Sequence, residues 1–294
     1  MAVTLSSDAL SRYARFTLYN SPFAAHDRGC AVDLYPGETA GPDPEDGDPV
    51  DAPSPVAGDV LETRTVTAPS KPYAAEEDHL ILVDTGERVA RLLHVDPAVS
   101  TGDRVAVGDS LGRLVRAGFF APWVANHVHL GFREHDANHY RAAGSLPLEL
   151  DPALDLAALE WDGTGTVVAA GETYAVLDSP THPAPGDRFA GVAATDEAGD
   201  PIGVLDGGLP HYDSGGLLRS HGTQSAAHVL GERVGAVDGR DVTWDEVTVL
   251  ANGDPVTGIA LAFGRDRAGV KLVGESVDLP VGTDVTVTVE TNRG

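Results

Sequence analysis

One cysteine, one methionine and two lysines in 294 residues are the first constraints. Cys30, standing alone, excludes an intrachain disulfide and any zinc site built from several cysteines. Basic residues are scarce against acidic ones: 20 Lys and Arg face 45 Asp and Glu, a formal charge of −25. A surface that acidic is repelled by phosphate backbones and by anionic lipid, so neither a nucleic-acid nor a membrane partner is expected. Long apolar runs are also missing. No stretch reaches the ~18 residues that a bilayer-spanning helix needs. Met1 to Tyr19 carries no apolar core of the kind an export signal has, so the expected location is cytoplasmic.

Apolar residues make up 42% of the chain, enough to build real cores despite 34 Gly and 20 Pro. The length is about twice the ~150-residue working prior for one domain, which points to two. Many carboxylates, 18 Arg against Lys71 and Lys271 alone, and few large apolar residues together resemble proteins of salt-loving microbes. At molar salt the Debye length shrinks to roughly 3 Å, and self-repulsion of such a surface is largely screened.

Short β-branched or alternating runs bounded by Gly, Pro or Asp dominate the pattern and predict an all-β protein. They are Val60–Val66, His79–Val83, Val89–Leu93, Leu111–Val115, Thr166–Ala169, Tyr174–Leu177, Val242–Leu250, Gly258–Phe263 and Val285–Val289. Helical spacing is confined to Ser6–Phe16 and a turn or two over Leu154–Leu159. Residues 37–55, rich in Gly, Pro and acid, read as an exposed loop. A break near Ser145–Asp155 predicts a first domain over residues 1–150 and a second over 151–294.

Three segments of the first half carry chemistry. They are HDRGCAVDLYPG with His26 and Asp33, VARLLHVDPAVSTGDRVAVGDSLGRL with His94, and NHVHLGFRE with His127 and His129. On a strand, side chains two apart share a face about 6.6 Å from one another, so His127 and His129 can work round one centre. A hydrolytic zinc site needs three protein ligands, usually His and carboxylate, and one open position. His26, Asp33 and His129 supply that set, and a zinc-bound water ionises near neutral pH. His94 and His127 would then be the acid–base pair, one taking the water proton and the other donating to the oxyanion.

Residues 24–134 resemble the lysostaphin-type (LytM-like) zinc endopeptidases, metallopeptidase family twenty-three. The family's G-x-P-V-x-A-P-x-x-G-x-V is matched by GDPVDAPSPVAGDV at 47–60, and its x-x-H-L by RLLHV at 91–95. Its V-x-x-G-D-x-V-x-x-G-x-x-I-G is matched by PAVSTGDRVAVGDSLG at 97–112, and its H-L-H-F-E by HVHLGFRE at 127–134. The resemblance implies a barrel-sandwich hybrid fold for this half, followed by a second β-sandwich or barrel. It also implies hydrolysis of peptide bonds, often Gly-rich, with Zn2+ as cofactor. Asp33 and His129 fall on the family's ligand positions, and His94 and His127 on its catalytic ones.

Two departures bear on the site. The family spaces its first ligands as H-x-x-x-D, whereas His26 precedes Asp33 by seven residues and Gly29 occupies the expected place. Either the loop bulges and His26 still binds, or a ligand has been lost. FFAPWVAN at 119–126 is bulky where the family has small residues; Phe119, Phe120 and Trp123 either flank a cleft or close the barrel core. Glu134 stands displaced from the family's final Glu.

Two other readings compete. One keeps the fold without turnover, a degenerate member acting as a binding or scaffolding module. The other is a lipoyl- or biotinyl-carrier domain, whose attachment Lys usually has Met beside it; Lys71 has none. His79, His135, His139, His211, His221 and His228 read as solvated or structural histidines. The second half offers no chemical motif, only strand patterns such as the hairpin around Asn252-Gly253 and the single face of Val285, Val287 and Val289.

Overall fold

Strand makes up 47% and helix 3% of the computed structural model, which describes residues 1–37, 50–220 and 224–291. The protein is all-β, as its alternating patterns require. It divides into two compact units, Met1–Phe16 with Phe23–Leu154, and Thr17–Pro22 with Asp155–Gly294. No helix among the described residues is long and apolar enough to cross a membrane.

The first unit is built on a six-stranded antiparallel sheet in the order Ala31–Tyr35, Val128–Arg133, Val89–Leu93, Asp78–Asp84, Gly58–Val66 and Arg104–Val105. Because side chains alternate, one register row decides each face. Val32, Leu130, Leu92 and Ile81 are directly opposite one another across four strands and are at most 1% exposed. Each such buried aliphatic side chain is worth about 1.5–3 kcal/mol of transfer free energy. The adjacent row on the opposite face runs Asp33, His129, Leu93 and Leu80. The core row therefore fixes the register that sets Asp33 against His129. A slip of one residue in either strand would turn its member of the pair to the core face.

A smaller antiparallel sheet joins Asp51–Pro53, Ser110–Leu114 and Val95–Pro97, giving the two-sheet build of a barrel-sandwich hybrid. The chain passes between the two sheets at His94, between Val89–Leu93 and Val95–Pro97, with φ at +70°. The strand at Asp51–Pro53 corrects the reading of 37–55 as loop throughout; residues 38–49 lie outside the described residues. Among the described residues α-helix is confined to Ser7–Leu10, capped by the Ser6 hydroxyl, which accepts from Ala9 N–H, so the longer Ser6–Phe16 reading fails after one turn. Arg15–Thr17 is strand instead, because Phe16 and Thr17 are wholly buried. Leu156–Leu159 is likewise strand, running parallel to Phe189–Thr195, where a helix had been expected.

In the second unit six strands close on themselves as an antiparallel barrel. Their order is Phe189–Thr195, Pro201–Leu209, Ser214–Leu218, Asp241–Trp244, Glu232–Asp238 and Ala226–Val229, which returns to the first through Thr195 and His228. Closure removes the exposed edges that an open sheet would present. A further antiparallel run extends from Pro201–Leu209 through Gly258–Leu261, Lys271–Val273 and Tyr174–Leu177 to Thr164–Gly171. Val285, Val287 and Val289 are all buried on one face of Asp284–Thr291, and the Val247–Ala251 hairpin turns at Asn252-Gly253 with φ of +52° and +90°. Two positive φ values in a two-residue loop are the type I′ geometry that Asn-Gly favours. The expected single strand Val242–Leu250 is two, Asp241–Trp244 and Val247–Ala251, parted at Asp245-Glu246.

Candidate metal centre

Asp33 lies in mid-strand with His129 directly opposite, so sheet register alone brings these two side chains together. His129 Nδ1 is 2.9 Å from Asp33 Oδ1. His26 arrives from a loop. The residues that separate it from Asp33 are taken up by a tight turn at Asp27–Gly29, where Arg28 and Gly29 adopt left-handed φ of +56° and +64°. That turn returns the imidazole to the strand: His26 Nε2 is 3.2 Å from Asp33 Oδ1 and 3.1 Å from His129 Nδ1. The unusual spacing is thus accommodated by a bulge, and His26 stands with the other two. His26, Asp33 and His129 form the one group of three or more possible ligands found among the described residues.

Donor atoms of a tetrahedral zinc with arms of ~2.0–2.1 Å are about 3.3–3.4 Å apart. The triangle of His26 Nε2, His129 Nδ1 and Asp33 Oδ1 has edges of 3.1, 2.9 and 3.2 Å, close to that figure. A third imidazole also approaches, with His127 Nε2 3.4 Å from Asp33 Oδ1. His127 Nδ1 faces the carbonyl oxygen of Ala125 at 2.9 Å, and a carbonyl only accepts, so Nδ1 carries the proton. In the neutral ring Nε2 is then a lone pair aimed at a carboxylate oxygen. Such a convergence repels unless a proton or a cation lies within it.

The five side chains of the cluster are only 3 to 8% exposed. Burial on its own would raise the Asp33 pKa, but the His127 and His26 imidazoles outweigh it and hold the carboxyl well below its ordinary value. Burial pushes His129 down to about 3 against the pull of its hydrogen bond to Asp33. An ionised carboxylate and a neutral imidazole are the forms in which these groups bind metal.

His94 Nδ1 lies 2.7 Å from Asp78 Oδ2, and its ring is 5.2 Å from that of His127 and 5.9 Å from that of His129, centroid to centroid. The structure thus brings together all five of the residues singled out by the sequence. Sequence reasoning missed Asp78, which is wholly buried. Nothing local in the sequence marks it: it begins the strand paired with Val89–Leu93, in which Leu80 is opposite Leu93, and only that pairing brings its side chain to His94. Of the aromatics in 119–126, Phe119 and Phe120 flank the cluster. Phe120 stacks on His127 at 4.3 Å and meets His94 edge-on at 4.7 Å, while Phe119 lies 6.2 Å from His94 and 5.6 Å from Phe23.

The profile of the N-terminal domain of DUF8155, a domain of unknown function, matches residues 4–150, and that of its C-terminal domain matches residues 157–290. The chain belongs to the DUF8155 family. No curated protein and no solved structure matches it. The DUF8155 N-terminal domain holds the entire cluster, since His26 and His129 both fall within 4–150.

Other histidine side chains of this DUF8155 member have partners or places outside the cluster. His135 Nε2 pairs with Asp84 at 3.0 Å on the surface, His139 Nε2 lies 3.1 Å from the Glu134 carbonyl, and His79 is 3.8 Å from Asp96. Glu134 is taken by Arg88 at 3.3 Å. In the DUF8155 C-terminal domain, burial lowers His211 to about 4, and His228 is part of the barrel strand Ala226–Val229. His221 lies outside the described residues.

Proposed function

We propose that this protein is a zinc-dependent endopeptidase of the lysostaphin type. His26, Asp33 and His129 would hold the ion, and His94 and His127 would perform the proton transfers. The observation that carries this reading is the meeting of three imidazoles on one carboxylate oxygen, with a fourth imidazole beside them. Zinc bound there would supply a Lewis acid that lowers the pKa of water and polarises a carbonyl.

The protein's own groups divide the rest of the work. His94 presents Nδ1 to Asp78, which leaves Nε2 to accept the proton of an attacking water. His127 has Nδ1 committed to Ala125, so its Nε2, once protonated, is a donor aimed at a developing oxyanion. Phe120, stacked on His127 and set against His94, keeps both rings in place and excludes bulk water. Phe23, Phe119 and Phe120 lie beside the histidines as apolar neighbours, and a glycine-rich peptide as substrate follows from the resemblance to the lysostaphin-type enzymes.

The test is cleavage of glycine-rich peptides by zinc-loaded protein, wild type against His94→Gln. We expect turnover by the wild type and a loss of 10²–10⁴-fold in the variant, the usual worth of a general base. Equal rates would refute the assignment of His94. The second reading, a binding or scaffolding module that keeps the fold without turnover, is favoured by the low exposure of His26, Asp33 and His129, 4 to 6% each. Full zinc occupancy with no cleavage of any glycine-rich peptide would select it.

A further inference from the structure

His94 occupies a costly backbone position. Its φ of +70° is in the left-handed region, which glycine adopts freely and a residue with a Cβ rarely does. The corner between the two sheets could be turned more cheaply by Gly, so the imidazole there needs a reason. Asp78 provides a partner built for it. The carboxylate is wholly buried, Oδ1 accepts from the His79 backbone N–H at 2.8 Å, and Oδ2 faces His94 Nδ1 at 2.7 Å. The backbone reinforces the pair, for His94 N–H donates to the His79 carbonyl at 3.3 Å. Both carboxylate oxygens are thereby committed, one to the strand it starts and one to the ring.

We propose that Asp78 is the positioning residue of His94, fixing its ring orientation and holding it as the Nδ1–H tautomer so that the Nε2 lone pair is available to take a proton. The proposal deepens the hydrolase reading and rests on it for its kinetic part. Asp78 is no ligand of the candidate centre: its oxygens are used within the dyad, and it is outside the group of His26, Asp33 and His129.

The dyad makes a specific forecast for Asp78→Asn. The amide oxygen must stay on the His79 N–H, because turning the NH₂ there would set donor against donor. The NH₂ then faces His94 Nδ1, which must become the acceptor, and the proton moves to Nε2. The ring keeps its place but loses the lone pair that the reaction needs. The same change in a serine-protease triad costs about 10⁴-fold in kcat.

The experiment is long-range ¹H–¹⁵N correlation spectroscopy of histidine-labelled, zinc-loaded full-length protein at pH 8. His94→Gln serves to assign the ring signals, and the steady-state kinetics of the same samples are measured on a glycine-rich peptide. We expect the Nδ1–H tautomer of His94 in the wild type and the Nε2–H tautomer in Asp78→Asn. The variant should show a 10²–10⁴-fold fall in kcat, KM changed less than threefold and unchanged zinc stoichiometry. Asp78→Glu, which keeps a carboxylate acceptor, should restore the Nδ1–H tautomer and part of kcat. An Nε2–H tautomer in the wild type overturns the proposal even if no variant folds. So does a folded Asp78→Asn protein with wild-type kcat. A zinc-loaded wild type without turnover overturns the hydrolase reading and the kinetic part with it, while the tautomers still decide the pairing of Asp78 with His94.

Discussion

At the scale of single residues, Asp33 is the pivot. Its Oδ1 lies within 3.4 Å of nitrogens from His26, His127 and His129, so the substitution Asp33→Asn removes the anionic ligand on which the three rings converge. We expect it to weaken zinc binding by at least about 10²-fold in competition with a chelator, since a structural or catalytic zinc rarely survives loss of one of three ligands. The protonation states give a second expectation for metal-free protein. His129 has its pKa lowered from 6.5 to about 3, so the folded state binds fewer protons than the unfolded state between those values. Its contribution to stability is complete above pH 6.5 and is lost as pH falls toward 3; Asp33, also lowered, adds a loss below about pH 4. Chemical denaturation of the zinc-free protein across pH 7 to 3 should show stability falling, and Asp33→Asn should remove the part of the loss that sets in below about pH 4. A stability that rises over that range would contradict the assignment.

At the scale of elements, Thr17–Pro22 belongs to the second unit although it is early in the chain. Asp206, wholly buried in the strand Pro201–Leu209, accepts from the Leu18 N–H at 2.6 Å, the Tyr19 N–H at 3.2 Å and the Thr17 hydroxyl. Tyr19 donates to Asp241 at 2.7 Å, and its ring lies so close to Gly216 that a Cβ there would come within 2.4 Å. Asp206→Ala leaves two buried N–H groups without that acceptor, at about 1–3 kcal/mol each. We therefore expect a loss of about 2–5 kcal/mol, read as a shift in the denaturant midpoint, whereas Glu197→Ala on the surface should change it by less than about 0.5 kcal/mol.

How legible these elements were depended on how local their cause is. Val89–Leu93 and Tyr174–Leu177 were read to the residue because apolar runs bounded by turn-formers need no distant partner to be recognised. The Asn252-Gly253 turn carried its geometry in its own chemistry. Ser6–Phe16 misled because its apolar spacing suits a helix, while the burial of Phe16 and Thr17 that draws Arg15–Thr17 into a strand is a tertiary effect. The strand at Asp51–Pro53 was hidden in a Gly-, Pro- and acid-rich stretch and exists because it pairs with Ser110–Leu114. For the site, ordered motifs indicated His26, Asp33, His94, His127 and His129. Asp78 was invisible because only the pairing of its strand with Val89–Leu93 places it beside His94.

At the scale of the whole molecule, the charge of −25 is the dominant feature. Repulsion among exposed carboxylates opposes the compact state and is screened as the Debye length falls from ~10 Å at 0.1 M to ~3 Å at 1 M salt. We expect the melting temperature to rise steadily from 0.1 to 2 M KCl, with most of the gain persisting in an uncharged variant of the metal centre. A melting temperature independent of KCl would show that surface charge does not limit stability.

The central claim is that His26, Asp33 and His129 converge on one divalent ion. X-ray absorption at the zinc edge on protein reconstituted with one equivalent of Zn2+ tests it most directly. The account expects about four light ligands at ~2.0–2.1 Å with the scattering of two imidazoles, no sulfur at ~2.3 Å, and loss of one imidazole in His129→Ala. Zinc that stays fully hydrated, or a spectrum that His129→Ala leaves unchanged, would contradict it.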